Sequence, residues 1–377
     1  MTSLSVTRPT FAEINLDNLA FNYHSVRKFV GPGVDLMAVV KADAYGHGAV
    51  QCAARLEAEG VDWFAVATAE EGIELREAGI KNPMLVLGGF WPGQEIAILN
   101  FRLTPVIFRI DQARSIAEAA RHQETSAMVH VKIDTGMGRV GVRLDDVDEF
   151  AAQLSTVKNL KMEGLMTHFA VADDPDATAF TNYQISNFNS AVETFNSHGH
   201  QPKYLDMANS PGAVVHPLSR GRLVRIGGLL YGLGGDVLPA GFPHPELKPV
   251  MTIKSKIAQL KTIRRGESVG YGRTWTAGRE TVVATIPIGY HDGLPRAVSN
   301  KGSFLINGKA APVIGRVSMD WTTIDVTDVP GAAVFDDVTI IGESGAEFLK
   351  AEDLAALAGT ISYEITCGIS QRIPRRY

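Results

Sequence analysis

Short apolar runs alternate with longer amphipathic segments from Leu36 to Gly232. The eight apolar runs, each of strand length, are LMAVVKA, WFAVAT, PMLVLGG, LTPVIF, MVHVKID, MEGLMTHF, KYLDMAN and LVRIGGLLYG. Between most of them the apolar residues recur three and four positions apart, as in AVQCAARLEAEG and NYQISNFNSAVETFNSHG, which predicts helices. Near-continuous apolar strands that alternate with helices indicate a parallel sheet covered on both faces. Eight such units predict an α/β fold with a closed parallel (β/α) barrel of the TIM type.

The pattern changes after about residue 245. Strand-like segments follow, namely VMTIKSKIAQLKTI, TVVATIPIGY, GSFLINGKAAPVIG, TTIDVT and DDVTIIGE, with short Gly, Asn and Asp turns and hardly any helix between them. They predict a second domain of mainly antiparallel strands. The prolines of FPHPELKP disfavour helix and strand, so this segment is expected to join the two domains. We therefore predict a barrel domain over residues 1–245 and a C-terminal β domain over residues 246–377.

The composition and charge of the chain limit which kinds of binding partner we expect. Of the 377 residues 45% are hydrophobic and 20% are charged, and the net charge is −5. Because no lysine or arginine run is present, we expect neither nucleic acid nor a membrane surface to bind. No apolar run reaches the roughly 18 residues of a spanning helix, and no signal-peptide pattern is seen. The two cysteines, Cys52 and Cys367, lack metal-site spacing, so we expect a cytoplasmic protein without a metal and with both thiols buried.

Polar residues gather where the predicted barrel strands end. They are Lys41 after the first run, Lys132, Asp134 and Arg139 in or after the fifth, Thr167 and His168 after the sixth, Asn209 and Ser210 after the seventh, and Arg225, Gly227, Gly228 and Tyr231 in or after the eighth. In such barrels the catalytic groups lie at the carboxyl ends of the strands. The pattern therefore predicts an active site at this end.

The chemistry of this end points to one cofactor. A lysine at the mouth of a cavity, here Lys41, can become a nucleophile when its amine is desolvated. The ends of strands seven and eight often hold a phosphate, and Ser210 would offer a hydroxyl there. Because Pro211 has no N–H, the amides would come from Gly212, Gly228 and their neighbours. A lysine amine and a phosphate site together suggest pyridoxal 5′-phosphate (PLP) bound covalently to the lysine.

Each of these residues also has a purely structural interpretation. Lys132 and Arg139 could form a solvated ion group with Asp134, and most such groups contribute little. His168 could be a hydrogen-bonded histidine of the barrel, and the glycines of GGLLYGLGG could serve packing alone. Arg225 fits this interpretation poorly, because a guanidinium inside an apolar strand needs a partner.

Motifs along the chain resemble those of the PLP-dependent alanine racemases of fold type III. The motifs are AVVKADAYGHG, VKIDTGMGRVG, the TH of LMTHF, ANS, VRIGGLLYG, VGYGRTW, PIGYHDGLPR and GRVSMD. The likeness runs in order from RPTFAEINLDNLAFN to ISYEITCGISQRIPR, which is nearly the whole chain. It implies an isomerase that interconverts L-alanine and D-alanine, either to supply peptidoglycan precursors or in alanine catabolism. It also implies a homodimer with shared active sites.

The resemblance implies two bases, one on each face of the substrate carbon. Lys41 would bind the PLP aldehyde and, once substrate frees it, act on the D-enantiomer. Tyr271, from the partner subunit, would act on the L-enantiomer. Inverting a stereocentre needs a base on each face, which one residue could not easily supply. Because the reference pKa of tyrosine is about 10, a charge on Arg139 or His168, or a coupled proton path, would have to assist it.

The resemblance also assigns contacts to the cofactor. Ser210, Gly228, Tyr45 and Tyr363 would hold the phosphate, with Asn209 and Gly227 in the same turns. Arg225 would face the pyridine nitrogen, with His168 behind it, and would disfavour protonation of that nitrogen.

Other residues are implied around the substrate. Arg139 would contact the ring hydroxyl and the substrate, and Lys132 is a candidate for carboxylation, its new negative charge steadying this arginine. Met319 of the partner would seat the substrate carboxylate with its backbone amide, and Tyr290 would lie near the substrate entry.

Some residues depart from the commonest family pattern and leave the substrate range open. They are Gly228 in place of isoleucine, His291 in place of alanine and Leu294 in place of an aromatic residue. One alternative is a racemase of broader range that also accepts serine. A decarboxylase of the same architecture is disfavoured by Arg225 and Tyr271. A non-catalytic PLP carrier is disfavoured by the presence of residues 246–377.

Overall fold

The structure is a computed structural model that describes residues 8–377. The chain divides into two compact units. The larger unit contains residues 19–44 and 49–248, and the smaller unit contains the described residues up to 18 together with residues 45–48 and 249–377. The first described elements are strand β1 (Phe11–Ile14) and helix α1 (Leu16–Val30).

The larger unit is built on parallel strands. They are β2 (Asp35–Val39), β3 (Trp63–Val66), β4 (Met84–Val86), β5 (Thr104–Ile107), β6 (Ala127–Asp134), β7 (Val142–Arg143), β8 (Leu160–Met166), β9 (Tyr204–Asp206) and β10 (Leu223–Ile226). The hydrogen-bonded order is β10-β2-β3-β4-β5-β6-β8-β9, with the short β7 on β6. The N–H of Arg225 donates to the carbonyl of Ala208 at 3.0 Å, so the two ends of this order nearly close. The eight predicted strands and the barrel fold are confirmed.

Helices connect these strands. They are α2 (Lys41–Gly46), α3 (Ala49–Ala58), α4 (Ala69–Glu77), α5 (Glu95–Asn100), α6 (Ile110–His122), α7 (Val147–Ser155), α8 (Thr178–Ser197) and α9 (Ser210–Val215). In α6 the buried residues Ala113, Ile116, Ala117 and Ala120 follow the three-and-four spacing of one helix face. None of the helices between residues 8 and 377 combines the length and the apolar composition that crossing a membrane requires.

The smaller unit is mainly antiparallel. Its further elements are β11 (Met251–Lys256), β12 (Gln259–Ile263), β13 (Ser268–Val269), β14 (Trp275–Thr276), β15 (Thr281–Ile286), β16 (Ser303–Ile306), β17 (Lys309–Pro312), β18 (Thr322–Asp325), β19 (Asp337–Ser344), β20 (Glu347–Leu349), α10 (Ala351–Ala358), α11 (Ser362–Cys367) and β21 (Arg375–Arg376). One sheet has the order β17-β16-β19-β11-β1-β21, and a second has the order β12-β15-β18. Alternate residues of β11 are buried, as expected for a sheet with one covered face. The predicted antiparallel domain is confirmed.

Strand β1 lies in the sheet of the smaller unit. It pairs antiparallel with β11, with Phe11 opposite Lys254 and Ile14 opposite Met251. The expected domain boundary grouped this strand with the barrel, so the division differs from that expectation here. The physical reason is the short sequence FAEI, in which Ala12 and Ile14 are buried while Glu13 is exposed. Such alternation suits an antiparallel sheet and not a barrel strand covered on both faces.

Candidate active site

The predicted site residues of the barrel unit lie at the carboxyl ends of its strands. Lys41 follows β2 after one residue, Lys132 lies near the end of β6, and Arg225 lies in β10. His168 follows β8 after one residue. The charges of Lys41, Lys132, Arg225 and Arg139 all act on the pKa of His168, so the structure brings these groups to one place.

The backbone after Lys41 forms one turn of left-handed helix. Residues 42–45 have φ between +52° and +55°, a region that costs an L-residue roughly 1–2 kcal/mol each. The turn closes at Gly46, whose φ is +83°. A Cβ at Gly46 would lie 2.1 Å from the carbonyl oxygen of Thr366, so only glycine fits. Four strained residues directly after a lysine indicate that the surrounding structure holds this backbone in place.

Glu71 ties this left-handed turn to the neighbouring strand end. Its carboxylate accepts hydrogen bonds from the N–H groups of Ala42 at 2.8 Å, Ala67 at 2.6 Å and Thr68 at 3.3 Å. Thr68 is also the N-cap of α4. Hydrogen bonds to an ionised acceptor are stronger than neutral ones. A single acid therefore offsets part of the strain next to Lys41.

Arg225 is buried and held from several sides. Its side chain is 4% exposed, and its Nη1 contacts Oδ1 of Asp206, which is fully buried. Its Nη2 donates to the carbonyl oxygens of Thr167 at 3.0 Å and Met207 at 3.2 Å, and to Nδ1 of His168 at 3.1 Å. Asp206 is thus the partner that a buried guanidinium requires.

His168 is neutral in this arrangement. An arginine only donates hydrogen bonds, so Nδ1 of His168 accepts from Arg225 and the proton is assigned to Nε2. Burial and the nearby cations, Arg225 foremost, lower the pKa of His168 to about 2. A positive charge on His168 is therefore not available to assist a tyrosine base. Of the two charges that we expected to assist the tyrosine base, only the charge of Arg139 remains.

Lys132 is a buried amine. Its side chain is 6% exposed, and its ammonium makes no hydrogen bond or ion pair with the residues that the structure describes. Burial and the charges of Arg225 and Arg139 lower the pKa of Lys132 to about 8. Asp134 instead accepts from the N–H groups of Gly136 and Gly138 in the loop after β6. The alternative of a solvated ion group formed by Lys132, Arg139 and Asp134 is therefore wrong.

The turns after β9 and β10 carry the predicted phosphate ligands. Ser210 is buried, and its Oγ accepts from the N–H of Gly227 at 3.0 Å, so its own O–H can still donate. Asn209 caps α9 and accepts from the N–H of Gly212 at 3.0 Å. This amide is used within the chain, so the expectation that Gly212 offers it to a phosphate is wrong. Gly228 opens a buried 3₁₀ turn, whose first N–H groups have no intrahelical partner.

The other predicted residues belong to the smaller unit. The rings of Tyr45 and Tyr363 meet edge to face with centroids 5.3 Å apart, and burial raises the pKa of Tyr45. The side chains of Tyr271, Met319 and Tyr290 are 71%, 50% and 42% exposed. The segments that carry Tyr290 and Met319 are joined, because the N–H of His291 donates to the carbonyl of Met319 at 3.1 Å.

Sequence reasoning missed Asp206 and misplaced one cysteine. An acid within the apolar run KYLDMAN carries the same signal that singled out Arg225, and it could have been found in the same way. Cys52 is buried as expected, but Cys367 is exposed. The reason is that the short α11 buries Ile365 and Thr366, which leaves its last residue on the outer side. In the part of the chain that is described, no group of three His, Cys, Asp or Glu side chains is placed to hold a metal.

Comparison with known proteins identifies the family of the chain. Residues 14–234 match the profile of the alanine racemase N-terminal domain, and residues 250–377 match that of the alanine racemase C-terminal domain. The alanine racemase of Geobacter sp. (strain M21) is 44% identical over 98% of each chain. These matches define the chain as an amino-acid racemase, an isomerase. It belongs to the alanine racemase family.

Solved structures share the whole fold. The alanine racemase of Clostridium difficile 630 has a TM-score of 0.90 and 36% identity over 98% of this chain and 96% of that chain. The alanine racemase of Bacillus anthracis with bound L-Ala-P has a TM-score of 0.91 and 32% identity over 98% and 94%. Both units of this chain are thus similar to those of characterised racemase structures.

Proposed function

We propose that the protein interconverts L-alanine and D-alanine with PLP as its cofactor. The observation that carries the proposal is the buried cationic group of Lys132 and Arg225 around the neutral His168, in a chain that alanine racemases match over nearly its full length. When bound, PLP supplies an electron sink that lets the α-carbon of an amino acid release its hydrogen as a proton.

The donors of the barrel unit fit a phosphate. Ser210 keeps an O–H able to donate, and the N–H of Gly228 makes no hydrogen bond among residues 8–377. Both residues are buried, so a bound anion would be shielded from water. Asn209 and Gly227 hold these two turns in place, and Tyr45 and Tyr363 would add hydroxyl contacts. This donor set supports phosphate binding.

The side chain of Arg225 fits the pyridine nitrogen. Its two Nη atoms are occupied by Asp206, His168 and carbonyl oxygens, while its Nε–H donates to no other residue within the described chain. A guanidinium cannot give up its proton, so this N–H would donate to an unprotonated ring nitrogen. Keeping that nitrogen unprotonated limits the spread of charge into the ring and favours racemisation over transamination.

Two bases complete the proposal. Lys41 binds the cofactor aldehyde and, when released, holds or gives up a proton at Nζ on one face of the substrate carbon. Tyr271 of the partner subunit does the same at its Oη on the other face. The high exposure of Tyr271 and Met319 in the single chain supports a shared site in a homodimer, in which Met319 would offer its backbone amide to the substrate carboxylate.

Arg139 and Lys132 are the remaining barrel residues of the proposed site. Arg139 would bind the ring hydroxyl and the substrate, and Tyr290 would line the entry. An amine with a pKa of about 8 is partly unprotonated at neutral pH, which is what reaction with CO₂ requires. Lys132 is therefore the proposed carboxylation site, with Arg139 facing the new negative charge.

A chiral assay of the common amino acids, run with purified protein and added PLP, tests this function. Starting from either enantiomer, we expect the assay to end with equal amounts of L-alanine and D-alanine. The proposed location of this reaction in the cell is the cytoplasm. Comparable rates with serine would favour the alternative of a broader small amino-acid racemase. No racemisation of any amino acid by yellow, PLP-loaded protein would overturn the proposal.

A further inference from the structure

Side chains of β6 and β9 meet inside the barrel, across β8. His130 of β6 and Tyr204 of β9 stack with ring centroids 6.1 Å apart. The residue between them in the register is Gly164 of β8, and a Cβ there would lie 2.5 Å from the His130 ring. Because Gly164 has no side chain, the two rings can stack across β8.

Two residues further along, the same strands carry Lys132 and Asp206. The register pairs Lys132 with Met166 and Met166 with Asp206. Because side chains two positions apart point to the same face of a strand, Lys132 and Asp206 lie in the layer above the stacked rings. Both are buried, with Lys132 6% exposed and Asp206 fully buried. A buried amine and a buried carboxylate therefore share one layer of the barrel interior.

Asp206 is positioned to act on more than Arg225. One of its oxygens contacts the guanidinium, but its Oδ2 has no hydrogen-bond partner in the described chain. The charged groups that face Lys132 are Arg225 on β10, Arg139 in the loop after β6, Asp206 on β9 and Asp134 at the end of β6. Of the two acids in this set, only Asp206 is fully buried, and Asp134 is already used by loop amides. Burial raises the pKa of Asp206, whereas the charge and hydrogen bond of Arg225 and the charge of Lys132 lower it and favour the ionised carboxylate.

We propose that Asp206 controls how much of Lys132 carries bound CO₂, and that it keeps this modification partial and dependent on the supply of CO₂. The inference rests on the proposed carboxylation of Lys132. In that step the neutral Nζ attacks the carbon of CO₂, an N–C bond forms, one C–O π pair moves onto oxygen and Nζ loses a proton to water.

The carboxylate of Asp206 opposes this step in two ways. It stabilises the ammonium form of Lys132, which cannot attack CO₂, and it repels the negative charge of the product. The cations Arg225 and Arg139 act in the opposite direction, because they favour the neutral amine and the anionic product. The extent of modification is therefore set by a balance in which Asp206 is the opposing charge.

The test is ¹³C NMR of the PLP-loaded protein in ¹³C-bicarbonate, without substrate. The carbamate signal is assigned by its loss in Lys132→Gln. We expect Asp206→Asn to raise the signal roughly 3- to 10-fold at the same dissolved CO₂, as removal of a charge worth half to one pKa unit would do. Asp206→Glu, which keeps the charge, should return the signal to the wild-type level. An unchanged or smaller signal in Asp206→Asn would overturn the proposal.

A matched control is Asp62→Asn, which removes a carboxylate paired with Arg27 at 2.7 Å just before β3. It should leave the carbamate signal unchanged. If Asp206→Asn does not fold, the wild type alone decides, because a signal that already equals one carbamate per chain in air-equilibrated buffer contradicts a restraining role. Racemisation by the wild type is assayed separately, so failure of the proposed function would be seen there and not in the carbamate signal.

Discussion

The barrel unit and the smaller unit hold their proposed site residues in opposite ways. In the barrel, Arg225 and Lys132 are almost fully buried, and strands and hydrogen bonds fix their surroundings. In the smaller unit, Tyr271 and Met319 are half or more exposed. A buried guanidinium such as that of Arg225 needs partners within its own chain, whereas exposed side chains are free to meet a second molecule. We therefore expect changes in the barrel to affect cofactor binding and changes at the exposed residues to affect turnover alone.

The largest effect is expected from Lys41→Ala. Without the amine the cofactor has no covalent attachment and one base is lost, so racemisation should fall by roughly 10³-fold or more. The checks are visible absorbance after gel filtration and chiral chromatography of alanine. Lys158→Ala, at an exposed lysine of the same unit, should leave both unchanged. Full colour and activity in Lys41→Ala would contradict the site.

Tyr271→Phe should distinguish the contribution of the smaller unit to turnover from the contribution of the barrel unit to cofactor binding. Its holoprotein is expected to stay yellow, because cofactor binding depends on the barrel, while racemisation falls roughly 10²- to 10⁴-fold through loss of a general base. Absorbance and initial rates from both enantiomers measure this. Tyr183→Phe, at another exposed tyrosine, is the matched control. Unchanged rates in both directions would refute the two-base assignment.

Mixing the two inactive variants tests whether a site is shared between chains. In a random mixture half of the dimers are hybrids, and each hybrid carries one intact site of two, so about a quarter of wild-type activity should return. The mixture is assayed after subunit exchange has been shown with tagged chains. No recovery despite exchange would argue for sites built within one chain.

A smaller effect is expected from the buried His130. Burial lowers the pKa of His130 to about 3, and its ring nitrogens have no hydrogen-bond partner among residues 8–377. Below about pH 6.5 the unfolded chain takes up a proton here that the folded chain refuses, so stability falls as the pH drops from about 6.5 towards 3. The loss should be about 2–3 kcal/mol between pH 6.5 and 4.5.

Urea unfolding of wild type and His130→Gln at both pH values measures this contribution. The variant should lose less stability on acidification than the wild type. His244→Gln, at an exposed histidine, should retain the wild-type dependence. Identical pH dependences for wild type and His130→Gln would show that His130 does not contribute.

The smallest effect is expected from Glu71→Ala. It removes the acceptor of three backbone N–H groups around the left-handed turn, which should lower stability by about 1–2 kcal/mol and speed the loss of PLP. Glu71→Gln should recover part of both. Glu70→Ala, one residue earlier and exposed, is the control. Measurements are thermal unfolding and the decay of visible absorbance during dialysis, and equal decay in all three variants would exclude a role for Glu71.

Most of the fold was predictable, because apolar runs report burial on both faces of a strand. The barrel strands and the antiparallel unit follow directly from this signal. The position of β1 could not be predicted in this way. Its four alternating residues carry little information, and its partner strand β11 begins only at Met251, far along the chain. The left-handed turn of residues 42–45 was not predictable either, because alanine, aspartate and tyrosine favour the right-handed region when alone.

The sequence predicted which residue types lie at the strand ends of the site. It predicted much less of the contacts between those residues. Lys132 was recognised, but its burial and lowered pKa depend on neighbours from other strands. Asp206 carried a local signal, an acid inside an apolar run, but its contact with Arg225 joins two strands and could not be read from either run alone. The use of the Gly212 amide by Asn209 could not be foreseen, since it depends on how α9 begins.

The pairing of β1 with β11 has a consequence for synthesis of the chain. Strands β2 to β10 are all synthesised before Met251, so β1 has no antiparallel partner until the whole barrel sequence has been translated. Nascent or truncated chains would then carry an unsatisfied strand at their beginning. The sheet of the smaller unit is complete only when translation has passed its last strand, at Arg375–Arg376, which also pairs with β1.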